Sequence, residues 1–211
     1  MRDIARGSEA GIVARMPAGL AAQELMSVAD YLEWEKGAEI RHEYVGGVIY
    51  DMAGGTNAHS FISSNTLISL GGQLSGKKCR ALNSDTKLRI IYPSHTRFYY
   101  PDAMVVCQPG PALQHFQDHP SVIVEVASAS TRRTDSAEKR EAYLQIPTLN
   151  VYIMLEQDEA AALVWRRGEQ GFVSEAYQGL EALIELPEIE ARLALARVYD
   201  AVDFPPPSAP E

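Results

Sequence analysis

Phe98-Tyr-Tyr-Pro101-Asp102-Ala-Met-Val-Val-Cys107, followed by Ser121-Val-Ile-Val-Glu125-Val-Ala127, decides how this chain is read. Both stretches are short, apolar and rich in β-branched residues. They predict strands over Phe98 to Val106 and over Ser121 to Ala127. Each also carries one carboxylate at or inside its apolar run. A bare carboxylate among aliphatic side chains costs several kcal/mol unless a cation or hydrogen bonds offset it. Two of them on neighbouring strands repel unless a proton or a metal ion sits between them. Oxygen-only ligands of this kind suit a hard cation, Mg2+ or Mn2+. The same residues also read as an ordinary Pro-Asp turn and a glutamate at a strand end. Alternation places Ile123, Glu125 and Ala127 on one face and Val122, Val124 and Val126 on the other.

Outward from this pair, the pattern alternates between helix and strand. Ser27 is an N-cap for a short helix through Tyr31, Leu32 and Trp34 that ends near Gly37. Ile40 to Met52 reads as a β-hairpin turning at Gly46-Gly47. Gly54-Gly55-Thr56 leads into a helix from Asn57 to Leu74. Strands follow at Cys79 to Leu82 and Lys87 to Tyr92, and Gln108 to Pro120 reads as a loop. After the Glu125 strand, Thr134-Asp135 opens a helix to about Gln145, ended by Ile146-Pro147. Strands are expected at Asn150 to Leu155, Ala161 to Arg167 and Gly171 to Ala176, and a helical segment at Ala191 to Ala201. The Val122 strand, the Asp135 helix and the Val151 strand form one crossover unit with parallel strands. The class is α/β (α+β mixed), a central mixed β-sheet flanked by helices. Residues 1–22 read as a flexible arm, 23–203 as a single domain, and 204–211 as a disordered Pro-rich tail.

With 211 residues, 46% of them hydrophobic, the chain can fill a sizeable core. No apolar run is long enough for a membrane span. Cys79 and Cys107 lack CxxC spacing, so reduced thiols and a cytoplasmic location are the expectation. The net charge of −9 excludes binding nucleic acid through overall basicity. An acidic protein can still bind DNA through clustered basic residues, and Arg132-Arg133 with Lys139 and Arg140 is such a cluster, or a solvated helix face. Ser128 and Ser130 lack a GxSxG elbow, Gly54-Gly55-Thr56 lacks a phosphate-loop ending, and no Cys/His cluster suggests zinc.

Several pieces, taken in order, resemble a known family. They are Tyr31-Leu-Glu-Trp-Glu35, Arg41-His-Glu43-Tyr-Val-Gly-Gly47, Met52-Ala-Gly-Gly-Thr-Asn-Ala-His59, Ser84-Asp85 and Phe98-Tyr-Tyr-Pro101-Asp102. Val124-Glu125-Val-Ala-Ser-Ala-Ser-Thr131 and Asp135 through Lys139 to Tyr143 complete the set. Together they are similar to the PD-(D/E)XK restriction-endonuclease-like superfamily, and more closely to its Uma-two branch of bacterial endonucleases. The resemblance implies a Mg2+-dependent (or Mn2+-dependent) endonuclease acting on DNA, working as a homodimer because two strands are cut. It implies metal ligation by Glu43, Asp102 and Glu125, with a nearby lysine positioning or activating water.

The third motif departs from the superfamily pattern, since Ala127 stands where the usual lysine would be. The branch often supplies its lysine from the following helix, which points to Lys139. Asp135, Lys139 and Tyr143 are spaced to share one helix face. Lys87 is the second candidate, and a surface Asp–Lys pair the plain alternative for Lys139. His59 reads as a capping or packing histidine that could contact substrate, and Asp85 as a turn residue or extra acidic ligand. Ala127 and the acidic charge also admit a catalytically inactive nuclease fold serving as an interaction or nucleic-acid-binding module.

Overall fold

Two sheets pack together, and the carboxylate-bearing stretch crosses from one to the other. The computed structural model describes residues 25–52, 54–127 and 135–204. The expected arm at 1–22 and nearly all of the expected tail lie outside these residues.

Helix α1 (Val28–Trp34) starts at Ser27, whose hydroxyl accepts from the Asp30 amide, and runs into a 3-10 turn over Glu35–Gly37. Strands β1 (His42–Val45) and β2 (Val48–Asp51) form the expected hairpin. Both turn glycines have positive φ, 58° at Gly46 and 103° at Gly47, as a two-residue turn of matching twist requires. Helix α2 (Asn57–Leu74) is capped by Thr56 and keeps Gly71 and Gly72 inside it. Next come β3 (Arg80–Asn83), β4 (Lys87–Ile91), β5 (Thr96–Tyr99) and β6 (Ala103–Val106). A two-residue strand, β7 (Phe116–Gln117), lies within the expected 108–120 loop and pairs parallel with β4.

The central sheet has the order β11-β10-β9-β8-β6-β3, built on β8 (Pro120–Val126) and β9 (Val151–Leu155). These two run parallel and are joined through helix α3 (Asp135–Leu144), while β10 (Ala161–Gly168) and β11 (Gly171–Gln178) extend the sheet as a hairpin. The second sheet has the order β2-β1-β5-β4-β7.

The single strand expected over Phe98 to Val106 is therefore two strands in two sheets. Pro101 has no amide proton to give to a ladder, so the chain leaves the second sheet after Tyr99 and enters the central sheet at Ala103. Asp102 sits at this corner.

Strand parity holds. Val122, Val124 and Val126 pack into one core with Ile62, Leu70 and Leu74 of α2. Ile123 packs into a second core with Tyr99, Ala142 and Tyr143, between the central sheet, α3 and the second sheet. Glu125 shares Ile123's parity and faces this second layer.

At the C-terminal end, the helix expected over 191–201 is instead β13 (Ala191–Ala194) followed by the short α4 (Leu195–Val198). β13 pairs with β12 (Leu183–Leu186), which the sequence reading missed. Ala, Leu and Arg favour helix, but burying Ile184, Leu186 and Leu193 in the α2 core overrides that local preference. The expectation of reduced cysteines is also corrected. Cys79 and Cys107 form a disulfide, because the Arg80–Val106 register carries them to facing positions. Among the described residues no helix is long and apolar enough to cross a membrane.

Candidate active site

Antiparallel pairing of β6 with β8 matches Ala103 to Val124, so one step further along the register Asp102 lies opposite Glu125. The corner is fixed by a hydrogen bond, in which the Val126 amide donates to Asp102 Oδ2 at 2.8 Å. The other face of Asp102 meets α2, where His59 Nε2 lies 3.2 Å from the same oxygen. Helix α3 returns over the Glu125 strand and brings two groups. Tyr143 donates its hydroxyl to Glu125 Oε1 at 2.7 Å. Lys139 places Nζ 2.6 Å from Oε1 of Glu43, which β1 contributes from the second sheet.

The electrostatics follow from this crowding. Burial first, and the Asp102 charge second, push Glu125 up to about 8, while Lys139 and the Tyr143 hydroxyl pull the other way. The hydrogen bond to Asp102 raises His59 against the opposing effect of burial. Burial and the Glu125 charge push the Tyr143 phenol well above its ordinary range, so it stays a donor.

The sequence candidates Glu43, Asp102, Glu125 and Lys139 thus meet in one layer. The 2.6 Å contact of Lys139 with Glu43 joins α3 to the second sheet. Lys87 goes elsewhere. Its ammonium stacks over the Tyr100 ring at 5.1 Å from the centroid, on the side of Glu35. Asp85 is exposed in the β3–β4 turn and pairs with Arg41 at 3.1 Å. His59 and Tyr143 were undervalued. For Tyr143 the signal was its spacing of four from Lys139. For His59 there was none, since nothing local shows that α2 begins beside the Pro-Asp corner.

The donor set fits a hard divalent cation in a limited way. Among the described residues no group of three or more His, Cys, Asp and Glu side chains is arranged to hold a metal ion, so the expected set of Glu43, Asp102 and Glu125 is not a preformed cage. Glu43 is instead engaged by Lys139. What remains is Asp102 facing Glu125, which holds its proton tightly beside that charge and which a cation would allow to ionise. Mg2+ is commonly held by one or two carboxylates and keeps several waters.

A mixed sheet flanked by helices, with a Pro-Asp corner, an opposing strand glutamate and a helix lysine on one face, defines a restriction-endonuclease-like fold. A crystal structure titled as a putative nuclease belonging to DUF820, from Anabaena variabilis ATCC 29413, shares it. The two superpose with a TM-score of 0.66 over 82% of this chain and 97% of that one, at 17% identity. The chain belongs to the Uma2 family, described as "Putative restriction endonuclease", whose profile matches residues 28–197. It is 30% identical over 181 residues to the Synechocystis sp. (strain ATCC 27184 / PCC 6803 / Kazusa) protein called "Uncharacterized protein slr1290", covering 85% of this chain and 94% of that relative. A second protein of that organism, "Uncharacterized protein sll1609", is 28% identical over 141 residues, covering 65% of this chain and 78% of the relative.

Proposed function

We propose that this protein is a Mg2+- or Mn2+-dependent endonuclease hydrolysing phosphodiester bonds of DNA. The observation that carries the reading is the opposition of Asp102 and Glu125 at the corner between two sheets, with Lys139 and Glu43 closing the same layer. Asp102 and Glu125 would hold the cation, and Glu43 would complete its surroundings through water. The cation supplies Lewis-acid neutralisation of charge on the phosphate. Lys139 Nζ orients the attacking water and donates to a phosphate oxygen, stabilising charge as it develops. Glu43 Oε1, next to that ammonium, accepts the water's proton as the new O–P bond forms and the bond to the leaving sugar oxygen breaks. Tyr143 holds Glu125 in orientation and His59 does the same for Asp102.

On a chain of net charge −9, phosphate contacts must come from local basic groups. Arg97 donates to the Tyr99 hydroxyl at 3.0 Å, beneath Lys139, and Arg140 lies over the Trp165 ring at 5.2 Å. Arg140 extends the positive rim around Lys139, whereas Arg97 is already paired with Glu138 at 2.9 Å. Cutting both strands calls for two such sites, so the active form is a homodimer, which light scattering reads directly.

Plasmid nicking with Mg2+ and Mn2+, wild type against Asp102→Ala, tests the reading. Nicking by the wild type that is lost in the variant supports it, and equal activity in both refutes it. Calorimetric titration with Mn2+ separates it from the inert interaction module, which would bind no cation at Glu125.

A further inference from the structure

The ladder between β1 and β5 stops short of the site. Its paired residues are Tyr44 with Phe98 and Val45 with Arg97, so Glu43 and Tyr99, next in register, and His42 and Tyr100 beyond them have no such pairing. A buried carboxylate takes over where the ladder ends. Glu35, in the turn after α1, accepts from the His42 amide at 3.0 Å and from the Tyr100 hydroxyl at 2.6 Å, both on Oε1. Its Oε2 lies 2.9 Å from His42 Nδ1. The Glu35 side chain is 3% exposed and that of His42 9%. The Tyr31 hydroxyl adds a bond to the His42 carbonyl at 2.7 Å.

These residues adjoin the candidate active site without entering it. His42 precedes Glu43, and strand alternation sends their side chains to opposite faces of the second sheet. Tyr100 and Pro101 precede Asp102 at the corner. One oxygen atom therefore pins the backbone from which Glu43 emerges to the segment from which Asp102 emerges.

Burying a carboxylate is a poor route to stability alone, since apolar residues of similar size do as well or better. A three-bond carboxylate is a good route to fixed geometry, because groups behind a site hold the site's own side chains in place.

We infer that Glu35 is a positioning residue, clamping His42 and Tyr100 from behind so that Glu43 and Asp102 are presented at a fixed separation to the Lys139 layer. The inference rests on the nuclease reading for what the positioned groups do, but not for the clamp. Glu35→Ala removes all three bonds. Glu35→Gln keeps an oxygen acceptor for the His42 amide and Tyr100 hydroxyl, and its amide can face an unprotonated Nδ1. Tyr100→Phe removes the Asp102 leg alone and is a mild change if Glu35→Ala folds poorly.

Amide hydrogen exchange on the full chain reads the clamp directly. The Val126 amide is the reporter, because it donates to Asp102 and lies in the central sheet, whereas Glu35 lies in the turn after α1. Glu35→Ala and Tyr100→Phe should each lower Val126 protection by roughly tenfold or more, leave Ile153 and Val164 in the central sheet unchanged, and show restoration in Glu35→Gln. On DNA, Glu35→Ala should lower kcat roughly 10- to 100-fold with KM little changed, and Glu35→Gln should recover most of it. Protection lost evenly across the central sheet, unchanged Val126 exchange, or no rescue by Gln would overturn the inference. A wild-type protein that cuts no DNA overturns the nuclease reading instead and leaves the Val126 amide to decide the clamp.

Discussion

Lys139 Nζ lies 2.6 Å from Glu43 Oε1, joining a helix of the crossover unit to a hairpin 96 residues earlier in the chain. Their side chains are 18% and 9% exposed, so water screens the pair weakly. Removing one partner leaves a charge in a layer that solvates it poorly, at a cost of about 3 kcal/mol. Lys139→Met should therefore lower stability by that order and abolish nicking. Glu43→Gln with Lys139→Met should recover much of the stability and none of the activity. Urea unfolding of both single variants and the double variant measures the coupling. Additive stability losses would show that the two groups do not depend on each other.

Gly47 should be the least replaceable turn residue. Its φ of 103° is rarely adopted by L side chains, and an added Cβ would lie 2.5 Å from Leu25 Cβ. Gly47→Ala therefore combines backbone strain with a clash, costing about 1–3 kcal/mol. Gly46 has φ 58° and its nearest neighbour, the His95 side chain, is in ordinary contact, so Gly46→Asn should cost less. Thermal melts compare the two. Because the hairpin carries Glu43, Gly47→Ala should also lose activity beyond its loss of stability.

Much of this architecture was legible because it is written locally. Ser27 capped its helix where expected, α2 ran from Asn57 to Leu74 as read, Gly46-Gly47 turned the hairpin, and valines alternating with Ile123 and Glu125 gave the faces of β8. Pro101 was legible as a residue but not as a boundary between sheets, since that depends on which strands β5 and β6 find as partners. The candidate site divides the same way. Asp102, Glu125 and Lys139 stood out by burial pattern, resemblance and helix spacing. The His59–Asp102 contact, the Glu35 clamp and the Cys79–Cys107 pairing are products of register and packing, which no short stretch encodes.

The disulfide closes a loop spanning 28 residues, which includes β4, β5 and the Pro101-Asp102 corner. In the chain-entropy account a loop of this length contributes about 3–4 kcal/mol. Reduction should lower the melting temperature by an amount matched by Cys79→Ser with Cys107→Ser, and the double variant should be insensitive to reductant. Thiol titration of the unfolded, unreduced protein should find no free thiol. Two thiols there would return the pair to the reduced state expected from sequence.

Glu125 makes the stability of the metal-free protein depend on pH in the sense opposite to a salt-bridged carboxylate. Burial and Asp102 hold it at about 8 when folded, against 4.5 ordinarily. The folded state therefore keeps its proton more tightly than the unfolded chain. That contribution is complete below about 4.5 and is lost as pH rises through about 8. His59, raised by Asp102, acts in the same direction from its ordinary 6.5 upward. The melting temperature of metal-free protein should thus fall between about pH 5 and pH 8.5, and Glu125→Gln should leave a shallower slope. Tyr143 favours the ionised form by donating to Oε1, so Tyr143→Phe should raise Glu125 further and move the acidic limb of the cleavage profile to higher pH. Cation binding needs the carboxylate and so releases a proton, and Mn2+ affinity should climb through the same window. Melts across this range, with Mn2+ calorimetry in two buffers of different ionisation enthalpy, check each step. A wild-type melting temperature that does not fall over this range, or Mn2+ uptake without proton release, would mean that Glu125 is already ionised beside Asp102.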